Sequence, residues 1–290
     1  MNSENNNNFI QKAFELTKDN IILAQPLIIF LIIISFTMTG LANQTNHIAY
    51  VVIFTANVLL CTAFFSGWFY MIKKAVKNAN REFKNPQEKA EASLALGREF
   101  FPGVGEYFLP VSFTIVTYFV VYILLLFTSY KAGMYFLPNP ELDWHKLMSM
   151  GNASVVEMQK YVASFSFEQL RAINLWMLYM LGIAGLFTFL TIFLFPAVFD
   201  RNKTGKMAGK KDFILYAPFM AFNRNIVFIF KNFFGSVGLL IFLFFVNFIL
   251  SLLSILFNLN IVLTVVGLII SFYFMTYAAV LIFLYYEDKK

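Results

Sequence analysis

Few residues in this chain have the type and spacing that chemistry needs. An enzyme working inside a bilayer uses paired Asp, a Ser–His pair or a helical His-Glu-x-x-His within apolar spans. The two histidines, His47 and His145, stand far apart and outside every long apolar run. His145 follows Asp143-Trp144 with no cysteine beside it, so it reads as an exposed or interfacial side chain. Cys61, the single cysteine, lies in an apolar run and reads as a small buried group, with no intrachain disulfide available to it. Gly103-Val-Gly105 is too short to cradle a phosphate and reads as a break before a span, and no Walker loop is present. The expectation is a chain without catalytic residues, metal or cofactor.

Polar side chains inside the apolar runs form a second group. They include Asn57, Thr62 and Ser66; Asn174, Thr188 and Thr191; Asn247, Ser251 and Ser254; Ser271 and Thr276. Asn57/Cys61, Asn247/Ser251 and Ser251/Ser254 fall at helical spacing, so Asn247, Ser251 and Ser254 make a polar stripe. Such residues first suggest interhelical hydrogen bonds, each worth about 0.6 kcal/mol on average. The alternative is a path for a neutral solute, or a hold on a lipid head group. Gly182/Gly185 and Gly235/Gly238 read as close helix contacts.

The third group is cationic. Lys73, Lys77, Arg81 and Lys84 recur on one helical face, and Arg201, Lys203, Lys206, Lys210, Lys211, Arg224 and Lys231 crowd into 200–231 beside only Asp200 and Asp212. Uncharged walls, 172–199 and 233–286, flank that segment. A cation beside an anionic leaflet contributes about 1 kcal/mol. Positive-inside topology alone would produce the same pattern.

The elements that carry these residues follow from composition. The chain is 59% hydrophobic, 19% aromatic and 13% charged. A soluble domain is about 45–50% apolar and about 25% charged, so a water-soluble globule has no room for this much Phe, Ile and Leu. The net charge of +6 does not indicate nucleic acid, because the cations lie between hydrophobic spans. Six apolar runs are long enough for a bilayer, which needs about 20 residues: 21–40, 48–72, 107–130, 172–199, 233–257 and 261–286. Pro26 and Pro196 lie near span ends, where a kink is tolerated. Of the 22 Lys and Arg, 18 fall in alternate connecting segments and 4 in the others, with none inside a run. The rich side is therefore expected to be cytoplasmic, with both termini inside. The first run reads as a retained span and not a cleaved leader, since its n-region is not clearly basic and a second run follows closely.

Local signals set the connections. Residues 1–8 are polar and Asn-rich and are expected to be disordered, and Phe9, Ile10, Ala13, Phe14 and Leu16 share one side of a short amphipathic helix. The second span is expected to continue as a helix to Asn85-Pro86, where Asn85 caps a new helix ending at Gly97. In the outer segment 131–171, Ser154-Val-Val-Glu157 is a capping box for a helix with Val155, Met158, Val162 and Phe165 on one face. Ser166-Phe-Glu-Gln169 opens the fourth span in the same way. That segment is expected to fold back over the outer mouth. A further amphipathic helix opens at Pro218, with Phe219, Phe222, Ile226 and Phe230 on one side and Arg224 and Lys231 on another. An interfacial helix thus precedes each of three hairpins, about 9–72, 86–199 and 209–286.

Six spans, internal termini, an interfacial helix before each hairpin and a last span closing on Tyr285-Tyr286-Glu287-Asp288 resemble a broad group of bacterial integral membrane proteins. That group includes the membrane domain fused to some glycerophosphodiester phosphodiesterases and small stand-alone proteins of unknown function. The resemblance implies one all-α, polytopic domain in a bacterial plasma membrane. It rests on architecture, and these 290 residues hold no phosphodiesterase domain, so nothing catalytic carries over.

The functional expectation is a non-catalytic membrane protein that engages anionic lipid of the cytoplasmic leaflet, or a protein partner or second copy, through its basic loops. A facilitator for a neutral solute is the alternative. No charge lies within the apolar runs, which argues against an ion-coupled carrier.

Overall fold

Each of the six apolar runs lies within a helical segment long and apolar enough to cross a membrane: Ile21–Ala42, His47–Asn78, Phe100–Phe136, Phe167–Phe199, Phe233–Phe257 and Ile261–Lys289. The computed structural model describes residues 3–42, 44, 46–79, 81, 83, 85–140, 154–200, 210–257 and 260–290, and among these there is no strand. The chain is an all-α, multi-pass membrane protein.

The helices are α1 (Ser3–Asp19), α2 (Ala24–Ala42), α3 (His47–Asn78), α4 (Pro86–Arg98), α5 (Phe100–Phe136), α6 (Val155–Ala163), α7 (Phe167–Thr191), α8 (Leu194–Phe199), α9 (Lys210–Lys231), α10 (Phe233–Phe257) and α11 (Ile261–Lys289). A 3-10 turn, Ile21–Leu23, joins α1 to α2. With 32 and 37 residues, α3 and α5 extend about 48 and 55 Å at about 1.5 Å per residue. Both outrun a hydrocarbon core of about 30 Å.

Caps account for the helix starts. The Asn46 side chain accepts from the Ile48 and Ala49 amides to open α3, and Asn260 does the same for Val262 and Leu263 at α11. Asn85 accepts from the Glu88 amide with Pro86 in the first turn of α4. Both expected capping boxes form. Ser154 and Glu157 exchange bonds at α6, and Ser166 and Gln169 do so at the start of α7.

Several expectations change. Helix α1 begins at Ser3, so the expected disorder of the N-terminal segment does not extend past that residue. Helix α9 begins at Lys210 and runs through Pro218, where a helix was expected to open. Of the two glycine pairs, Gly235 makes a close contact, whereas a Cβ on Gly182, Gly185 or Gly238 would meet nothing within 4 Å. Helix α3 stops at Asn78, a weak helix former, short of Asn85-Pro86. No break occurs at Gly103-Val-Gly105, because α5 starts at Phe100 and passes through both glycines. A Cβ on Gly103 would lie 2.6 Å from the Tyr70 Cβ, so this glycine permits close approach of α5 to α3. On α6, Met158 and Val162 are exposed and Tyr161 is the buried residue, packed on Phe165 at 4.8 Å.

The chain divides into two compact units, Met1–Thr117 with Leu190–Lys290, and Tyr118–Phe189. In the first, the dense core lies where α3, α8, α9 and α11 converge. Phe30 stacks on Phe64 at 4.0 Å, Phe69 meets Phe195 at 4.8 Å, and Tyr107 stacks on Phe199 at 4.3 Å. Trp68 donates its indole N–H to the Leu23 carbonyl at 2.8 Å, which binds α3 to the turn before α2. Buried residues cluster in Phe64–Val76 and Thr276–Tyr286, whereas Val51, Val262 and Ile269, toward the other ends of these helices, and Ile255 near the end of α10 are exposed. Water would not tolerate that surface; lipid tails do.

Between α7 and α8 the backbone breaks, with Pro196 removing one ladder donor just beyond. Asn225, wholly buried on α9, fills the gap. Its carbonyl accepts from the Phe193 amide at 3.0 Å, and its amide donates to the Leu190 carbonyl. In the second unit, Tyr118 and Tyr122 pack on Phe187, and Trp176 donates to the Pro138 carbonyl at 2.9 Å.

Candidate functional site

Helix α9 meets the core through Ala217, Ala221, Asn225, Phe228 and Ile229, all buried. The apolar side read from the sequence points away: Phe219 and Phe230 are 67% and 68% exposed. Burying the Asn225 face presents Arg224 and Lys231, seven residues apart, toward the end of α11. There the chain closes with Tyr285-Tyr286 against Phe193 and Phe228, so Lys289 and Lys290 arrive beside Arg224.

The result is a cleft of about 250 Å³ whose lining includes Asp200, Arg224, Lys231, Tyr286, Lys289 and Lys290. Lys231 and Lys289 occupy the last turns of α9 and α11, where the partial negative charge of unpaired carbonyls favours cations. Arg224 donates to the Asp200 carbonyl at 2.6 Å. Lys290 bridges the Asp200 carboxylate at 3.2 Å and the Glu287 carboxylate at 2.7 Å. Burial alone disfavours the Lys290 ammonium, but hydrogen bonds from it to Glu287 and Asp200 outweigh burial and hold it above the ordinary lysine range. Lys289 pairs with Asp288 at 3.4 Å, and its ammonium sits 5.3 Å from the Phe9 ring. Lys231 is exposed and has no ion pair among the described residues. The cleft therefore keeps cationic character despite the buried Asp200.

The other sequence-derived basic residues divide. Lys73 turns inward, donating to the Phe199 carbonyl at 2.5 Å and the Tyr107 hydroxyl at 3.2 Å, and so ties α3 to the end of α8. Lys77 is exposed. Arg81 pairs with Glu88 at 2.9 Å and rests over Phe83. Lys210 and Lys211 lie in the first turn of α9. Arg201, Lys203 and Lys206, like His145, lie outside the described residues.

The intramembrane polar residues are not brought together. Asn57 makes a side-chain bond between helices, with Thr37 donating to its Oδ1 at 2.5 Å. The Thr62, Ser66, Thr188, Ser271 and Thr276 hydroxyls bond to carbonyls of their own helices. Ser251 and Ser254 do likewise at 2.9 and 2.6 Å. Asn247, Ser251 and Ser254 are exposed along α10. Among the described residues no three His, Cys, Asp or Glu side chains converge to hold a metal ion.

Sequence reasoning missed Asn225, Lys289 and Lys290. The tail lysines counted only toward topology, although cations in a helix's last turn beside two tyrosines were visible. Nothing local marked Asn225, whose partners lie 32 and 35 residues away. No family model, no curated protein and no solved structure matches this chain.

Proposed function

We propose that this protein is a non-catalytic integral protein of a bacterial plasma membrane, with both termini cytoplasmic, that engages anionic lipid through its basic face. The observation that carries the reading is the cleft of Arg224, Lys231, Lys289 and Lys290, beside the exposed Phe219 and Phe230 of α9. In this reading α9 lies along the interface, its aromatic side in lipid and its cations at head-group level.

The test is reconstitution into mixed anionic and zwitterionic vesicles, followed by extraction in nanodiscs and lipid counting. Anionic lipid is expected to be enriched around the protein over the bulk fraction. Replacing Lys203, Lys206, Lys210 and Lys211 with Gln is expected to reduce that enrichment. Equal lipid ratios for bulk and protein would overturn the reading.

The solute-facilitator reading draws on one feature, the exposed Asn247, Ser251 and Ser254 stripe of α10. Efflux of a neutral solute from the same vesicles, abolished by Asn247→Leu, would favour it.

A further inference from the structure

We propose that a single anionic phospholipid seats at the junction of α9, α10 and α11, with its phosphate in the basic cleft and one acyl chain in a neighbouring apolar groove. This deepens the anionic-lipid reading and rests on it.

The groove, about 160 Å³, lies between α1, α10 and α11, and its lining includes Phe9, Phe234, Gly238, Phe242, Leu281 and Tyr285. Phe234, Gly238 and Phe242 follow at four-residue intervals, so the crease descends α10 by about 12 Å into the apolar span. Its floor is glycine at Gly238, where an added Cβ would meet nothing within 4 Å. The neighbouring Gly235 has a different role, because a Cβ there would collide with the Tyr285 hydroxyl.

Groove and cleft share a border. Lys289 lines the cleft, and its ammonium lies 5.3 Å from the ring of Phe9, which lines the groove. Tyr285 belongs to the groove and Tyr286 to the cleft. On the other side, Lys231 of the cleft stands three residues before Phe234 of the groove. Cations at the mouth of an apolar crease that runs into the span match the two ends of an anionic lipid. A free phosphate would need only the cleft, and a neutral lipid only the groove.

The experiment titrates the full-length chain, delipidated in detergent, with phosphatidylglycerol, phosphatidylcholine or inorganic phosphate, and counts bound lipids by native mass spectrometry. One phosphatidylglycerol is expected to bind before any others, with phosphatidylcholine weaker and millimolar phosphate failing to displace it. Lys231→Gln with Lys289→Gln is expected to weaken that first binding by about tenfold or more, two interfacial cations being lost. Gly238→Leu, whose Cβ would meet nothing within 4 Å and whose side chain would occupy the groove, is expected to weaken it comparably; an unchanged melting temperature checks that this variant is folded. First-site affinity unaltered in Gly238→Leu, or displacement by phosphate, would overturn the two-part site. If nanodisc enrichment of anionic lipid persists in that case, only this site fails. If the enrichment is absent too, the broader reading fails with it.

Discussion

Asn225 is the residue on which the basic end of the first unit most depends. It satisfies a buried amide and a part-buried carbonyl at the α7–α8 break, and both would lose this partner without it. Asn225→Ala is expected to destabilise by roughly 2–4 kcal/mol, read as a lowered melting temperature in detergent. By contrast, Thr37→Val removes the bond to Asn57 and is expected to cost only about 0.6 kcal/mol, because the unfolded helix in the membrane finds other partners. Glu157 supplies a pH test. Bonds from the Ser154 backbone amide and hydroxyl hold its carboxyl below the usual range. A depressed pKa means the stabilisation is complete above the ordinary glutamate value and is lost as pH falls through the folded one. Protection of the α6 amides, exchange being taken relative to the intrinsic rate at each pH, is expected to be full at neutral pH and to fall on acidification, with Glu157→Gln flattening that response.

Among the elements, α3 and α5 are held by the contact at Gly103. Gly103→Leu forces a side chain against Tyr70 and is expected to cost about 1–3 kcal/mol through overpacking, again visible in the melting temperature. Helix α10 makes the opposite case. Ser251 and Ser254 bond to their own helix and face outward, so the Ser251→Ala, Ser254→Ala pair is expected to change stability by less than about 0.5 kcal/mol. A larger loss would mean that those hydroxyls meet a partner within the membrane. Helices whose starts are fixed by nearby side chains were legible in advance. Ser154/Glu157, Ser166/Gln169 and Asn85/Glu88 each act over three residues, so the sequence carries the whole interaction. The end of α3 and the role of Gly103 were not legible, since the Tyr70 contact comes from another helix.

For the whole molecule, two-sidedness is the governing expectation. Lys206→Cys in intact cells is expected to resist a membrane-impermeant thiol reagent that labels Asn152→Cys, in a Cys61→Ala background. Equal labelling from outside would reverse the orientation on which the lipid reading depends. Exposed Val51, Ile255, Val262 and Ile269 also require that the purified chain lose monodispersity when detergent is removed.

The sequence by itself determined that this is a multi-pass helical protein, because six apolar runs and the banishment of charge from them are properties of length and composition. It also located most of the cations that line the candidate cleft or lie along its helices. What it left open was which side of each helix faces protein. In water, apolar means inward; in a bilayer the surroundings are as apolar as the interior, so hydrophobic periodicity loses its direction. Phe219 and Phe230 therefore pointed outward while Asn225 pointed in, a reversal set by the broken backbone before Phe193. Only tertiary packing decided that, and with it decided that Arg224, Lys231, Lys289 and Lys290 would meet.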